Sequence, residues 1–156
     1  MRYLEIGVAQ GDNMEKILEH YPTWNYVGVD RWECVPLENE VNKMENWNTQ
    51  EIWDEVYKSV LKRIEPYKDR ASIIKGNSVK VLPTLVGEFD IIFVDGDHSY
   101  KGAKKDLELS LPLLAEWGKI IVDDLHYREV HQAFQEFINE NDVVHWGNII
   151  EKKRNK

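Results

Sequence analysis

Phe89-Asp90-Ile91-Ile92-Phe93-Val94-Asp95-Gly96-Asp97-His98-Ser99-Tyr100 decides how this chain is read. An apolar run breaks into polar side chains of the kind that hold ligands. The pattern returns at Lys119-Ile120-Ile121-Val122-Asp123-Asp124. Two apolar strands that both end in aspartate describe one edge of a parallel sheet with carboxylates gathered along it. In open α/β sheets ligands bind at that edge, outside the carboxyl ends of the strands. A third strand, Tyr3-Leu4-Glu5-Ile6-Gly7, ends in a glycine turn.

Outward from these segments, strands alternate with helical periodicity. Strands are expected at about 2–6, 26–30, 71–75, 89–94 and 119–122. Helices are expected at about 12–20, 49–64, from 78, 101–114 and 127–139. Thr49 is placed to cap the second helix, and Ile52, Trp53, Val56, Val60 and Ile64 recur along one of its faces. Pro36, four asparagines and scattered charges argue against regular structure over 31–48. Gly147-Asn148 between 143–146 and 149–152 reads as a hairpin turn. Repeating strand–helix units with near-continuous apolar strands give an α/β fold: one doubly wound, mostly parallel sheet over 1–156, closed by an antiparallel hairpin.

Composition sets the class. The 156 residues are 42% hydrophobic and 31% charged, ordinary for a globular domain. The net charge of −8 disfavours duplex nucleic acid, which wants a basic face. The basic run Lys152-Lys153-Arg154 reads as a solvated tail. No apolar run approaches the ~20 residues needed to cross a bilayer, and the N-terminus lacks the apolar core of a signal peptide. The single cysteine, Cys34, points to a reducing, cytoplasmic setting. Trp24, Trp32, Trp47 and Trp53 crowd one third of the chain. They either line a pocket or pack a core, and core packing is expected for at least half of the tryptophans.

The turn Gly7-Val8-Ala9-Gln10-Gly11 opens a helix, whose N-terminus favours a carboxylate or phosphate. The G-x-x-x-G spacing differs from the G-x-G-x-x-G of nicotinamide and flavin binders. Many strand-to-helix turns need glycine for shape alone. Glu5 is a carboxylate in a buried strand, which requires a cationic ligand or a partner from elsewhere in the fold. Asp30 lies close to the ~20-residue offset at which an acid accepts ribose hydroxyls. Arg31 and Trp32 follow it and can cover a nucleoside. Asn77 and Ser78 can bond an adenine edge or cap the next helix, with capping favoured for Ser78.

Taken together, Glu5-x-Gly7-x-x-x-Gly11, Asp30, Gly76-Asn77-Ser78, Asp95-Gly96-Asp97-His98-Ser99-Tyr100 and Val122-Asp123-Asp124 resemble a class I S-adenosylmethionine-dependent methyltransferase. The likeness runs from strand one to the final hairpin. Within that superfamily it is closest to the small O-methyltransferases grouped with the catechol and macrocin enzymes. It implies that Gly7, Val8, Ala9 and Gly11 wrap the methionine end of the cofactor, whose ammonium and sulfonium suit Glu5. It also implies that Asp30 holds the ribose, that Asn77 and Ser78 lie by the adenine, and that Asp95, His98 and Tyr100 border the cofactor.

Asp95, Asp123 and Asp124 end neighbouring strands, and three converging carboxylates repel unless a cation sits among them. An oxygen donor set suits Mg²⁺, Ca²⁺ or Mn²⁺ rather than zinc. Related O-methyltransferases hold a divalent metal, Mg²⁺ or Mn²⁺, at such strand ends. The alternative gives Asp124 a helix-capping role and Asp97 a loop role. His98, three residues beyond Asp95, is the candidate base for a hydroxyl proton, with Asp95 as its catalytic neighbour. It is equally placed to ligate the metal, touch the cofactor or brace the loop. His126 is a second candidate. Relatives often cover the site with N-terminal helices. Here the 31–48 segment or a second subunit of a homo-oligomer is the expected cover, and a small hydroxylated molecule the expected acceptor. A nicotinamide-dependent oxidoreductase and a non-catalytic cofactor-binding module are the rival readings.

Overall fold

The computed structural model describes residues 1–34 and 49–154. The expected lid, Trp47 and most of the expected irregular stretch fall outside the described residues. The elements are β1 (Arg2–Ile6), α1 (Asp12–His20), β2 (Asn25–Asp30), α2 (Gln50–Ile64), β3 (Ala71–Lys75), α3 (Ser78–Val81), β4 (Phe89–Val94), α4 (Tyr100–Ser110), β5 (Leu114–Val122), α5 (Arg128–Glu140), β6 (Val143–Trp146) and β7 (Ile149–Lys152). The strands form one sheet in the order β3-β2-β1-β4-β5-β7-β6. β1 pairs in parallel with β2 and β4, and β4 with β5. β7 runs antiparallel to β5 and β6. The order reverses between β1 and β4, which places the switch point where the glycine turn meets the Asp95 loop.

Period-two alternation sorts the core into two layers. Leu4, Ile6, Ile92 and Val94 face α4 and α5, where they meet Leu107, Phe134 and Phe137. Tyr3 and Tyr26 face the other way, onto Met14, Leu18, Val60 and Ile64 of α1 and α2. Side chains that cap the N-termini of α2, α3 and α4 are legible locally. Thr49 accepts the Ile52 N–H at 3.5 Å, Asn77 the Val79 N–H at 2.9 Å, and Ser99 the Gly102 N–H at 3.1 Å. Asn77, not Ser78, therefore caps α3.

Two boundaries differ from the sequence expectation. α4 ends at Ser110, and a 3₁₀ turn through Pro112 replaces its last residues. β5 begins at Leu114 rather than at 119, because Leu114 pairs with Phe89 before the register shifts between Phe89 and Ile91. Gly118 lies within the strand, not before it. A Cβ there would stand 2.9 Å from the Phe89 carbonyl oxygen, so glycine marks an irregularity where two backbones crowd.

Trp32 is fully buried, and Trp24 and Trp53 pack against the second core layer. Trp117 and Trp146 are exposed. At the start of α2, the Gln50 side chain accepts the Cys34 N–H at 3.0 Å and donates to the Trp32 carbonyl at 3.0 Å. The chain on either side of 35–48 is thereby tied together. Among the described residues, no helix is long and apolar enough to cross a membrane.

Candidate functional site

Five turns gather at the carboxyl edge of the sheet. The first follows β1. Gly7 adopts φ +91°, and a Cβ on it would lie 1.9 Å from the Asp95 carbonyl oxygen. Only glycine allows the β1 and β4 loops to approach this closely. Ala9 at φ 46° and Gly11 at φ 84° complete the turn, closed by a Gly11 N–H bond to the Val8 carbonyl at 2.8 Å.

Neighbouring side chains lock this turn. One Asp30 oxygen accepts the Ala9 N–H at 2.8 Å, and the other accepts the Trp32 N–H at 2.8 Å. Trp32 donates its indole N–H to the Ala9 carbonyl at 2.9 Å, and its ring lies against Tyr57. Buried in this way, Trp32 braces the glycine turn. Arg63 of α2 reaches the Gln10 carbonyl at 2.6 Å and pairs with Asp12 and Glu15. Sequence reasoning missed Arg63. Its helical position reads as a solvated cation, and only the packing of α2 beside α1 gives it this task.

Glu5 is 1% exposed. Its partners come from within the fold: Tyr26 donates its hydroxyl at 2.5 Å, and Asn13 adds a further hydrogen bond. Burial pushes the Glu5 carboxyl up to about 8 against those two bonds. Burial thus favours its protonated form, and the side chain supports the turn from beneath.

The loops after β4 and β5 carry the chemistry. His98 Nε2 stands 3.4 Å from Asp95 Oδ1 and 3.1 Å from Asp124 Oδ2. Asp95, His98 and Asp124 each present one ligand atom, all within 4.8 Å of one another. Asp123, expected in this set, is turned aside: its Oδ1 accepts the Asp124 N–H at 2.8 Å. Asp124 adopts φ 55°, a left-handed conformation that aspartate tolerates better than most residues. His126 is more exposed and reaches the other Asp124 oxygen at 3.5 Å.

Charge couples the cluster. Burial raises Asp95, the His98 hydrogen bond opposes it, and the Asp123 and Asp124 charges raise it further. The hydrogen bond to Asp95 raises His98 against its own burial, helped by the Asp124 charge. His98 thus stands between two carboxylates, both of which favour its charged form.

Asp97 stabilises the loop by accepting the Ser99 N–H at 2.9 Å and pairs with Arg31 at 3.6 Å. Arg31 thus bridges the ends of β2 and β4. Tyr100, expected to border the cofactor, is bonded to α5. Its hydroxyl donates to Glu136, and its N–H to Glu129 at 2.8 Å, both on α5. Asp106 was not anticipated at all. It lies buried in α4 beneath Gly96.

A sequence model described as a methyltransferase domain matches residues 4–125, from β1 to just past Asp124. The chain belongs to this methyltransferase domain family. An uncharacterized protein of Acanthamoeba polyphaga mimivirus is 26% identical over 124 residues, covering 80% of this chain and 51% of that protein. O-methyltransferase hkm8 of Aspergillus hancockii is 36% identical over 67 residues, covering 43% of this chain and 27% of its own. The chain thus spans about half the length of one relative and about a quarter of the other.

Solved structures show the same methyltransferase fold. The Podospora anserina methyltransferase PaMTH1, bound to S-adenosylhomocysteine, superposes with a TM-score of 0.68 at 20% identity, over 98% of this chain and 72% of that one. The O-methyltransferase TomG from Streptomyces achromogenes, in complex with S-adenosylmethionine, gives 0.63 at 19%, over 92% and 63%. A putative caffeoyl-CoA O-methyltransferase from Staphylococcus aureus gives 0.63 at 18%, over 96% and 73%. The methyltransferase domain thus has the sheet of class I S-adenosylmethionine-dependent enzymes.

Proposed function

We propose that this domain transfers the methyl group of S-adenosylmethionine to a hydroxyl oxygen of a small acceptor. The observation that carries the reading is the Asp95–His98–Asp124 cluster, beside the close approach of the β1 and β4 loops that Gly7 permits. O-methyltransferases among the relatives support the choice of oxygen. In this reading Gly7, Val8, Ala9 and Gly11 enclose the methionine end. Asp30 keeps lone pairs free for the ribose hydroxyls, since each oxygen has accepted one N–H. Asn77, Ser78 and the Arg31–Asp97 pair border the adenine.

The donor set of two carboxylates and an imidazole fits a divalent cation such as Mg²⁺ or Mn²⁺. Asp95, Asp124 and His98 would hold it, with Asp123 adding charge beside them. Such a cation, when bound, would lower the pKa of the acceptor hydroxyl and fix its position. The chain's own residues then orient the acceptor in line with the sulfonium and exclude water. His98 takes the hydroxyl proton at Nε2 where the cation does not engage it. A second reading has its own support. His98 lies within reach of both carboxylates, which orient its ring, and in its neutral form it would act alone as base.

The test combines cofactor calorimetry with a methyl-transfer assay over hydroxylated acceptors, with and without chelator. Turnover lost in chelator and restored by Mg²⁺ or Mn²⁺ supports the metal reading. Full turnover in chelator leaves the metal-free reading. Asp30→Ala should weaken cofactor binding by ~1–3 kcal/mol through lost charge-assisted hydrogen bonds. Folded wild type that binds no cofactor would overturn the proposed function.

A further inference from the structure

Asp106 lies in α4 with 2% of its surface exposed. Its Oδ1 has no hydrogen-bond partner among the described residues. Two donors face the carboxyl group: the Ser78 hydroxyl at the start of α3, and the backbone N–H of Asp97. Arg31, at the end of β2, acts on it through charge while pairing with Asp97. Gly96 packs so closely that a Cβ there would stand 2.9 Å from Asp106 Oδ2. One side chain therefore touches the turns after β3 and β4 and feels the turn after β2.

A buried carboxylate with a bare oxygen is costly to keep. An asparagine of the same shape would offer an acceptor to the same two donors without a charge to desolvate. The charge adds a firmer hold on the Asp97 N–H and the Ser78 hydroxyl, because hydrogen bonds to an ionised acceptor are about twice as strong. It also draws Arg31 toward the same point. None of these groups belongs to the Asp95–His98–Asp124 cluster.

We propose that Asp106 is a positioning residue whose buried carboxylate clamps the Gly96–Asp97 backbone to the Ser78 turn and so shapes the nucleoside end of the cofactor cleft. The proposal rests on the cleft assignment given under the proposed function. It deepens that reading by giving the nucleoside subsite a support outside the loops that line it.

The charged groups around Asp106 are Asp97 and Arg31 from the neighbouring loops. On α5, Glu129 and Glu136 are engaged by Tyr100, and Glu136 also by Lys104. Burial pushes Asp106 up to about 6, opposed by the Ser78 hydrogen bond. The clamp is therefore charged at neutral pH and uncharged in mild acid.

The full chain is compared with Asp106→Asn and Ser78→Ala at about pH 5 and about pH 7.5, either side of that midpoint. Two quantities are read: hydrogen-exchange protection of the Asp97 amide, corrected for intrinsic rate, and calorimetric affinity for S-adenosylhomocysteine. At the higher pH both variants should lose protection and bind about tenfold more weakly. At the lower pH wild type and Asp106→Asn should converge. Equal protection and affinity at the higher pH would overturn the proposal. A difference that persists unchanged in acid would also overturn it, because shape rather than charge would then be responsible. If wild type binds no S-adenosylhomocysteine, the cleft assignment fails and Asp97 protection alone decides the role of Asp106. If Asp106→Asn does not fold, Ser78→Ala and the pH dependence of wild-type protection decide it.

Discussion

Asp106→Asn should stabilise the fold at neutral pH while loosening the cleft. Burial lifts the carboxyl from 3.8 to about 6. At ~1.4 kcal/mol per tenfold change in proton affinity, the ionised group costs the fold about 3 kcal/mol once pH exceeds ~6. The sign follows from proton uptake. Between the two values the native state holds a proton that the unfolded chain has released, so stability falls as pH rises through this window. Below about pH 4 both states are protonated and the cost disappears. Asparagine keeps the shape and an acceptor for Ser78 and Asp97 and carries no charge. It gives up the extra strength of charged hydrogen bonds, so the net gain at pH ~7.5 should be ~1–3 kcal/mol. Urea unfolding followed by tryptophan fluorescence reads this directly. The midpoint should move upward at neutral pH with an unchanged slope, and should barely move at pH ~4. A variant that is less stable at neutral pH, with the same slope, would refute the reasoning. The carboxylate's hydrogen bonds would then outweigh its burial.

Other substitutions probe the site's geometry and charge. Gly7→Ala places a methyl group 1.9 Å from a backbone oxygen at positive φ, and should cost ~3–5 kcal/mol in chemical denaturation. A loss below ~1 kcal/mol would mean the two loops are not held in contact. If His98 is the base, His98→Ala should lower kcat by ~10²–10⁴ with cofactor affinity nearly intact. The wild-type rate should rise with pH through a midpoint above the ordinary imidazole value, since Asp95 and Asp124 favour the charged ring. A pH profile that survives the substitution would remove His98 from proton transfer.

The sheet was legible because its strands are apolar and stop abruptly. Gly7, Asp30, Asp95 and Asp123 each mark such a stop, and each stands at the carboxyl edge. Boundaries failed where pairing outweighed local preference. Leu114 joins β5 through its partner Phe89, across the crowding at Gly118. The site was legible as residue types gathered on one edge, and less so as contacts. Nothing in the spacing tells that His98 reaches Asp124 while Asp123 folds back on its own loop. Asp106, Arg63 and Trp32 owe their tasks to partners distant in sequence. A helical carboxylate, a helical cation and a tryptophan after a strand look ordinary until the layers close over them.

The Gln50 clamp bears on how this scaffold tolerates redesign. Its amide fixes Cys34 and the start of α2 in one place, so the two ends that any intervening segment must join are already brought together. Doubling the length of a flexible connection between fixed ends costs only ~0.6 kcal/mol. Grafting a longer or different segment between Cys34 and Thr49 should therefore leave the glycine turn and the carboxylate cluster undisturbed. That makes this junction a place to exchange segments, provided Gln50 and Trp32 are kept.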